Sequence, residues 1–363
     1  MKIVLVGGQN IPGIGGVEAY MLNMAKALFD LGHQVTILCS DRKAYTATIE
    51  GIKVVHLTCP RSNSIALPLL FLKSIKYILA NRKDIDVVNY QAVFFAFISG
   101  WLASLFGCKV CYTIHSLPED SPKHSMVMKW AMKSIGFVSM WLCGSRLLTI
   151  SNSKAREIKA RYHKSSAVIP CGVNMPKQVI HSDILERFGI TPNRYYLTIG
   201  RIDPIKNLDV LIRAFLEGDH VGHQLVIAGD YANDYGVALR QLAQANKNVV
   251  FVGSVMGDDK ECLLKYCRAN CLVSSSEGMP ISLLEAMAYG KPCIVTDIPA
   301  IREIVRDDWA LWCTVGDVQS IVQQMTRFET EGWCPDVDIA SYVAMHHSWH
   351  GIAGQYVQYV SSL

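Results

Sequence analysis

The 363-residue chain has no low-complexity segment, and charged residues make up only 18% of it. A disordered chain is thereby excluded, and with half its residues hydrophobic it can bury the cores of two ordinary domains. It lacks a signal-peptide pattern, because MKIVLVGG carries an apolar run far too short for an h-region. It also lacks a nucleic-acid motif and any interleaving of aromatic with basic residues, so nucleic acid is not expected as a partner. The twelve cysteines include no second pair at zinc spacing. Many lie inside apolar runs such as CIVT, as reduced, buried thiols of a cytosolic protein do. Cys108 and Cys111 form a CxxC, but CKVCYTIH reads as a strand. One uncharged stretch, Val87 to Cys108, is long enough for a membrane span. Asn89, Gln91, Ser99, Gly100 and Ser104 interrupt it, so it reads as a buried strand followed by a buried helix.

What is present is a divided charge. Residues 1–180 carry 21 Lys+Arg against 9 Asp+Glu, and the remainder 14 against 22. A basic first half suits an anionic partner, either a membrane surface or a phosphorylated substrate.

Short apolar runs alternate with helical patterns throughout. KIVLVGG reads as a strand, GVEAYMLNMAKALFDLGH as a helix with Gly32 at its stop, and QVTILCS as the next strand. KVVHL, DVVNY, KVCYTIH, RLLTIS and AVIP continue the series, with helices near 66–81, 93–106 and 124–142. The pattern then restarts with YYLTIGR, QLVIAGD, NVVFVGS, CLVSSS, PCIVTD and ALWCTV. Such βαβ repetition predicts parallel sheets with helices on both faces. The expected fold is α/β, with two Rossmann-like domains facing a cleft, residues 1–175 and 176–347. Their joint falls near CGVNMPKQVIHSD, where Gly, Pro and polar residues collect. Ligands are expected outside the carboxyl ends of the strands.

Three places carry chemistry. The first is the loop GGQNIPGIGGVEAY, where glycines permit close approach and a helix start offers N–H groups to an anion. It half-fits the dinucleotide fingerprint: Gly13 and Gly15 match, but Glu18 stands at the third position, and Asp41 after the second strand could hold a ribose as in a dehydrogenase. A loop that merely turns the chain is the plainer reading. The second is GRIDPIK, which puts Arg201 and Lys206 at a strand end and before a helix, a rigid fork and a mobile point charge that together suit a diphosphate. The third is SSSEGMPISLLEAMAYGKP. Glu277 ends a strand, Pro280 suits the first position of a helix near 280–289, Gly290 suits its end, and Glu285 lies about one turn in. Helix starts attract anions, so two acids there need a reason. Carboxylates accept paired hydrogen bonds from vicinal hydroxyls, and the N–H groups near Ile281 and Ser282 donate to phosphate oxygens. The segment therefore suits a ligand that is part polyol and part phosphate. The bland alternative is an exposed helix residue and a charge near a helix start.

EGMPISLLE is a Glu-x7-Glu motif. With GGVEAYMLNMAKALFDLGHQVTIL, TIHS, TISNSKA, IPCGVN, GRIDPIKNLDVLIRAF, VVFVGSV and the GD at 316–317, in that order, the chain resembles family 4 of the retaining glycosyltransferases, of GT-B fold. The resemblance covers nearly the whole chain. It implies that Glu277 contacts the transferred sugar, Glu285 the nucleotide ribose, and Arg201 and Lys206 the diphosphate. Gly15 and Gly16 let the first loop approach the donor, His115 borders the sugar and the reacting oxygen, and the loop at Val255 meets the base. Gly278, Met279, Ile281 and Ser282 complete the implied donor site. The closing stretch 348–363 resembles the family's last helix, which returns to the first domain. Asn89 stands where members often carry His, and Lys206-Asn207 replaces the commoner Lys-Gly.

Two Asp-x-Asp triplets, Asp84/Asp86 and Asp336/Asp338, read as solvated turns, and no metal or other cofactor is expected. The expected activity is transfer of a sugar from a nucleotide-diphosphate donor to a lipid-linked saccharide of a bacterial surface polysaccharide. A nucleotide-sugar epimerase and a non-catalytic sugar-nucleotide-binding protein are the alternatives. PKHSMVMKWAMKSIGFVSMWLCGSR sets Lys123, Lys129, Lys133 and Arg146 around Met126, Trp130, Met140 and Trp141. This composition suits a helix lying among anionic headgroups, on the cytoplasmic face of the cell membrane.

Overall fold

The computed structural model describes residues 1–13, 15–60, 63–117, 125–144, 146–218, 220, 222–244 and 246–363. The chain forms two compact units, Met1–Gly172 with Trp349–Leu363, and Val173–Ser348.

The first unit is built on eight strands: β1 Lys2–Gln9, β2 Gln34–Asp41, β3 Tyr45–Ile49, β4 Ile52–Thr58, β5 Val87–Tyr90, β6 Lys109–Ile114, β7 Leu147–Thr149 and β8 Ala167–Val168. They lie in the order β3-β4-β2-β1-β5-β6-β7-β8. β1 is central, pairing Ile3 with Val35 on one side and Val4 with Val88 on the other. Its unbroken run of buried residues from Ile3 to Gly8 reflects helices on both faces. Seven strands run parallel. β3 does not: it pairs antiparallel with β4 through a tight turn at Glu50 and Gly51, both with positive φ. The all-parallel expectation therefore fails at this edge. YTATI has no long apolar run to announce it.

The stretch that raised the question of a membrane span divides into β5, buried throughout, and the helix Ala96–Leu105. That helix is not buried as expected, since Ile98, Trp101 and Leu105 face outward. Among the described residues no helix is long and apolar enough to cross a membrane.

The closing helix Trp349–Ser361 buries Trp349, Ile352, Ala353, Tyr356 and Val360, one stripe at helical spacing, and packs on the helix Gly16–Asp30. Lys109 Nζ binds the carbonyls of Val360 and Ser361 at 3.2 and 2.9 Å, a cation at a helix C-terminus.

The second unit has six parallel strands: β9 Tyr195–Ile199, β10 Gln224–Ala228, β11 Val249–Gly253, β12 Ala269–Leu272, β13 Cys293–Thr296 and β14 Leu311–Cys313, ordered β11-β10-β9-β12-β13-β14. Alternate residues of β9 enter two cores, Tyr195 and Leu197 on one face and Tyr196 on the other. Each sheet has a switch point where strand order reverses, β1/β5 in the first and β9/β12 in the second. There the outgoing connections part and leave a crevice at the carboxyl ends. Eleven of the twelve cysteines are buried and none is in a disulfide; Cys334 is exposed.

Gly172 meets the closing helix directly. A Cβ there would lie 2.6 Å from the Trp349 ring and 2.8 Å from its Cα. Gly172→Ala is expected to destabilise the first unit by roughly 1–3 kcal/mol, read as a lower Tm in thermal unfolding; an unchanged Tm would show that the helix is not clamped there.

Candidate functional site

At the β9/β12 switch point the chain leaves β9 through Arg201 into a short 3-10 turn, Pro204–Lys206, capped by Asp203 Oδ1 accepting from the Ile205 N–H at 3.3 Å. Asn207, at positive φ, ends the turn and opens the helix Leu208–Glu217. Three bonds tie this turn to the end of β12. Ser275 N–H and Oγ both donate to the Ile205 carbonyl, at 2.9 and 3.1 Å, and Asn207 Nδ2 donates to Val273 O at 3.1 Å. The tie brings Lys206 Nζ to 2.5 Å from Glu277 Oε1, with only 16% and 11% of the two side chains exposed. Ser274 Oγ donates to the same oxygen at 2.6 Å. Arg201 stays exposed.

The helix that follows runs Ile281–Ala288, with Pro280 as its N-cap residue rather than its first residue and Tyr289 as its C-cap. Leu283 and Leu284 N–H take the Pro280 carbonyl. Ile281 and Ser282 therefore precede the helical ladder, as helix-start donors do. Leu283, Leu284, Ala286, Met287 and Ala288 are buried, whereas Ile281 is half-buried. Gly278 and Met279 are half-buried too, and Met279 and Val255 pack against one core. Glu285 binds Lys260 of the helix Gly257–Tyr266 at 2.6 Å. Each acid thus has an ammonium of its own. The opening puzzle of two carboxylates beside a helix start is resolved locally by charge pairing, before any ligand is considered.

The first unit gathers a second cluster. Glu18 folds back over its own helix start and accepts from Gln9 N–H at 2.9 Å. A Cβ on Gly15 would lie 1.7 Å from Glu18 Oε2, so a side chain there would displace the Glu18 carboxylate, while Gly16 faces open space. A carboxylate in this place repels a pyrophosphate seated in the dinucleotide manner. Asp41 accepts from Tyr45 OH at 3.1 Å and lies 3.2 Å from His56 Nδ1, so it is not free for a ribose. The dehydrogenase reading fails on both counts.

His115 follows β6. Its Nε2 lies 2.9 Å from Gln91 Oε1, and Tyr20 meets its ring edge-on at 4.8 Å. The ring keeps some access to solvent, yet the packing around it pushes its pKa down to about 4.

Three of the four Asp-x-Asp carboxylates have partners. Asp84 pairs with Lys2 Nζ at 2.5 Å and Asp86 accepts from the Lys2 N–H at 2.7 Å. Asp338 caps the helix Ile339–His346 through the Ser341 N–H at 3.0 Å. Among the described residues no cluster of three His, Cys, Asp or Glu side chains could hold a metal.

Sequence reading missed four groups at these clusters. Ser274 was in view, three residues before Glu277, but nothing marks it as a donor to that acid. Lys260 in GDDKEC, Tyr20 and Tyr356 have no local signal, because each reaches its partner only through the fold.

Residues 14–176 match the family model Glycosyltransferase Family 4, and residues 182–339 match Glycosyl transferases group 1. HepE of Anabaena, solved with UDP and glucose, superposes with a TM-score of 0.79 at 19% identity, covering 100% of both chains. WaaG, a glycosyltransferase involved in lipopolysaccharide biosynthesis, gives 0.70 at 12% identity, covering 98% of this chain and 95% of that one. The fold is GT-B. A UDP-Gal:alpha-D-GlcNAc-diphosphoundecaprenol alpha-1,3-galactosyltransferase of Escherichia coli is 25% identical over 350 residues, 90% of this chain and 88% of that one. The O-antigen chain mannosyltransferase C of Escherichia coli is 23% identical over 324 residues, 86% and 84% of the two chains. The chain belongs to glycosyltransferase family 4.

The depressed pKa of His115 has a consequence for stability. Its value falls from an ordinary 6.5 to about 4 on folding, so between these limits the unfolded chain binds more protons. The contribution is whole above about pH 6.5 and is lost as pH falls towards 4. In urea titrations His115→Gln is expected to lose less stability than wild type between pH 6.5 and 4; equal losses would refute the assignment.

Proposed function

We propose that this glycosyltransferase retains the anomeric configuration and moves a sugar from a nucleotide-diphosphate donor to a lipid-linked saccharide. The observation that carries the proposal is the pair of acid–ammonium contacts flanking one helix start at a switch point. A diphosphate takes the cations Arg201 and Lys206 and the N–H groups of Ile281 and Ser282. Glu277 and Glu285 then accept from hydroxyls of the sugar and the ribose, the base lies at Val255, and Gly278 and Met279 line the path between. In the first unit Gly16, which faces open space, lets the first loop approach the donor while Glu18 occupies the space at Gly15, and His115 borders the sugar and the reacting oxygen. The bond from the anomeric carbon to the phosphate oxygen breaks and the nucleoside diphosphate leaves with the electron pair. The acceptor oxygen bonds that carbon on the same face, and its proton passes to the leaving phosphate. The cations and helix N–H groups stabilise the charge that develops. No metal is needed for this charge balance.

The acceptor reading draws on the diphosphoundecaprenol-linked sugar in the Escherichia coli relative's name and on the surface of the helix Met126–Cys143. Met126, Trp130, Phe137 and Trp141 lie within about 60° on that helix at 100° per residue, and all are exposed, Trp130 by 75%. Lys133 is exposed at the edge of this stripe and Lys129 half-exposed, whereas Met140 turns into the core. Lys123 lies outside the described residues. Trp101 and Leu105, on the adjoining helix, are exposed as well. An apolar face bordered by lysines on a basic unit suits an anionic leaflet, where each cation contributes about 1 kcal/mol.

Glu277→Gln is expected to lower transfer about a hundredfold or more while nucleotide binding survives. Arg201→Ala and Lys206→Ala should weaken binding of the nucleoside diphosphate far more than of the nucleoside. A panel of radiolabelled UDP-, GDP- and ADP-sugars with a bacterial lipid extract separates the alternatives: an epimerase consumes donor without acceptor, and a non-catalytic binder leaves it intact. Activity should persist in chelator, and strict dependence on a divalent ion would return the Asp-x-Asp triplets to consideration.

On the membrane side, wild type should pellet with anionic liposomes at low salt and release at high salt, and a Lys129→Glu, Lys133→Glu variant should stay in the supernatant. Equal pelleting of both proteins, or none by wild type, favours a soluble acceptor.

A further inference from the structure

Between β5 and β6 runs a buried chain of side-chain hydrogen bonds that ends on His115. Asn89 Oδ1 accepts from Thr113 Oγ1 and from Gln91 Nε2, both at 3.0 Å, and Asn89 Nδ2 donates to Tyr356 OH at 3.2 Å. Gln91 Oε1 then faces His115 Nε2 at 2.9 Å. Asn89, Gln91, Thr113 and Tyr356 are all buried, so turning either amide alone sets two acceptors or two donors face to face where water cannot replace the lost bond. The stem of Gln91 is confined as well: a Cβ on Gly7 of β1 would lie 2.6 Å from its Cβ. An amide oxygen accepts and cannot donate, so the ring nitrogen it faces carries the proton.

We propose that Gln91 is a positioning residue that fixes His115 as its Nε2–H tautomer, and that Asn89, held in place by Tyr356 and Thr113, sets which end of Gln91 faces the ring. The proposal rests on the reading that His115 borders the reacting groups. In this tautomer Nδ1 holds the ring's lone pair, so His115 accepts a hydrogen bond from a sugar or acceptor hydroxyl there and does not donate one. It also assigns a task to Asn89, the departure from the commoner His. A neutral amide there supplies one donor and one acceptor at fixed ends, whereas the roles of an imidazole's nitrogens change with its own proton. Tyr356 lies on the closing helix, so the segment that returns to the first unit helps hold the amide on which Gln91 rests. The ring plane is held separately, by Tyr20, which is edge-on to His115 at 4.8 Å and to Trp349 at 5.6 Å.

The test is NMR of the full chain carrying 15N-labelled histidine, with the His115 signals assigned by their loss in His115→Gln. Wild type should show the Nε2–H pattern. Gln91→Met should give a mixture of tautomers and lower kcat about tenfold, the worth of one well-placed hydrogen bond, with little change in donor KM. Gln91→Glu retains an acceptor oxygen and should restore the Nε2–H tautomer. Tyr356→Phe should loosen the tautomer preference without touching the ring. An Nδ1–H tautomer in wild type overturns the proposal, as does an unchanged tautomer in Gln91→Met. Should Gln91→Met fail to fold, the wild-type and Tyr356→Phe spectra decide alone. Full transfer activity in His115→Gln would instead sink the role of His115 in the reaction, and leaves the tautomer result standing on its own.

Discussion

The bond from Ser275 N–H to the carbonyl of Ile205 does more for the second unit's site than its size suggests. It joins two loops that leave adjacent strands in opposite directions, one carrying Lys206 and the other Glu277. Without it and the neighbouring bond from Asn207 Nδ2, the two charges belong to separate surface loops. With both, they meet at 2.5 Å in a half-buried place. Once the partners are desolvated to that degree, removing either strands the other, so the pair behaves as one unit. Its charge is nearly balanced, so the carboxylate carries no large desolvation cost.

The first unit solves a similar problem with neutral groups. Where the second unit balances acid against ammonium, the first surrounds an imidazole with amides, hydroxyls and aromatic rings. That surrounding keeps His115 uncharged far below neutrality. A neutral ring has hydrogen bonding to offer and no net charge with which to attract an anion. The helix-start anion place in the first loop is filled by Glu18 for the same economy of charge.

Much of the fold was legible because parallel strands buried on both faces leave long apolar runs, and thirteen of the fourteen strands among the described residues overlap runs quoted from the sequence, although CLVSSS runs four residues past the end of β12 at Leu272 and Glu277 follows in the loop. The exception, Tyr45–Ile49, is an exposed antiparallel edge whose pairing depends on a turn rather than on burial. The helix Ala96–Leu105 was misread as buried because its composition is apolar on every side, and composition cannot say which side finds a partner. At the site, Lys206, Glu277 and Glu285 were visible through strand ends and helix signals. Their partners were not. Lys260 lies 25 residues from Glu285, and Tyr356 reaches Asn89 across 267; no local spacing encodes a contact that the sheet order creates.

The distribution of thiols has a practical side. Eleven cysteines are shielded by the cores, and burial holds many of their thiols above the ordinary range, Cys39 and Cys111 at about 12. Cys334 alone is exposed. A thiol-reactive fluorophore added to the native protein therefore marks one position, in the second unit, with no cysteine replaced. A second dye on a cysteine engineered into the first unit would give a distance ruler between the units in solution, suited to following what a nucleotide sugar does to their separation.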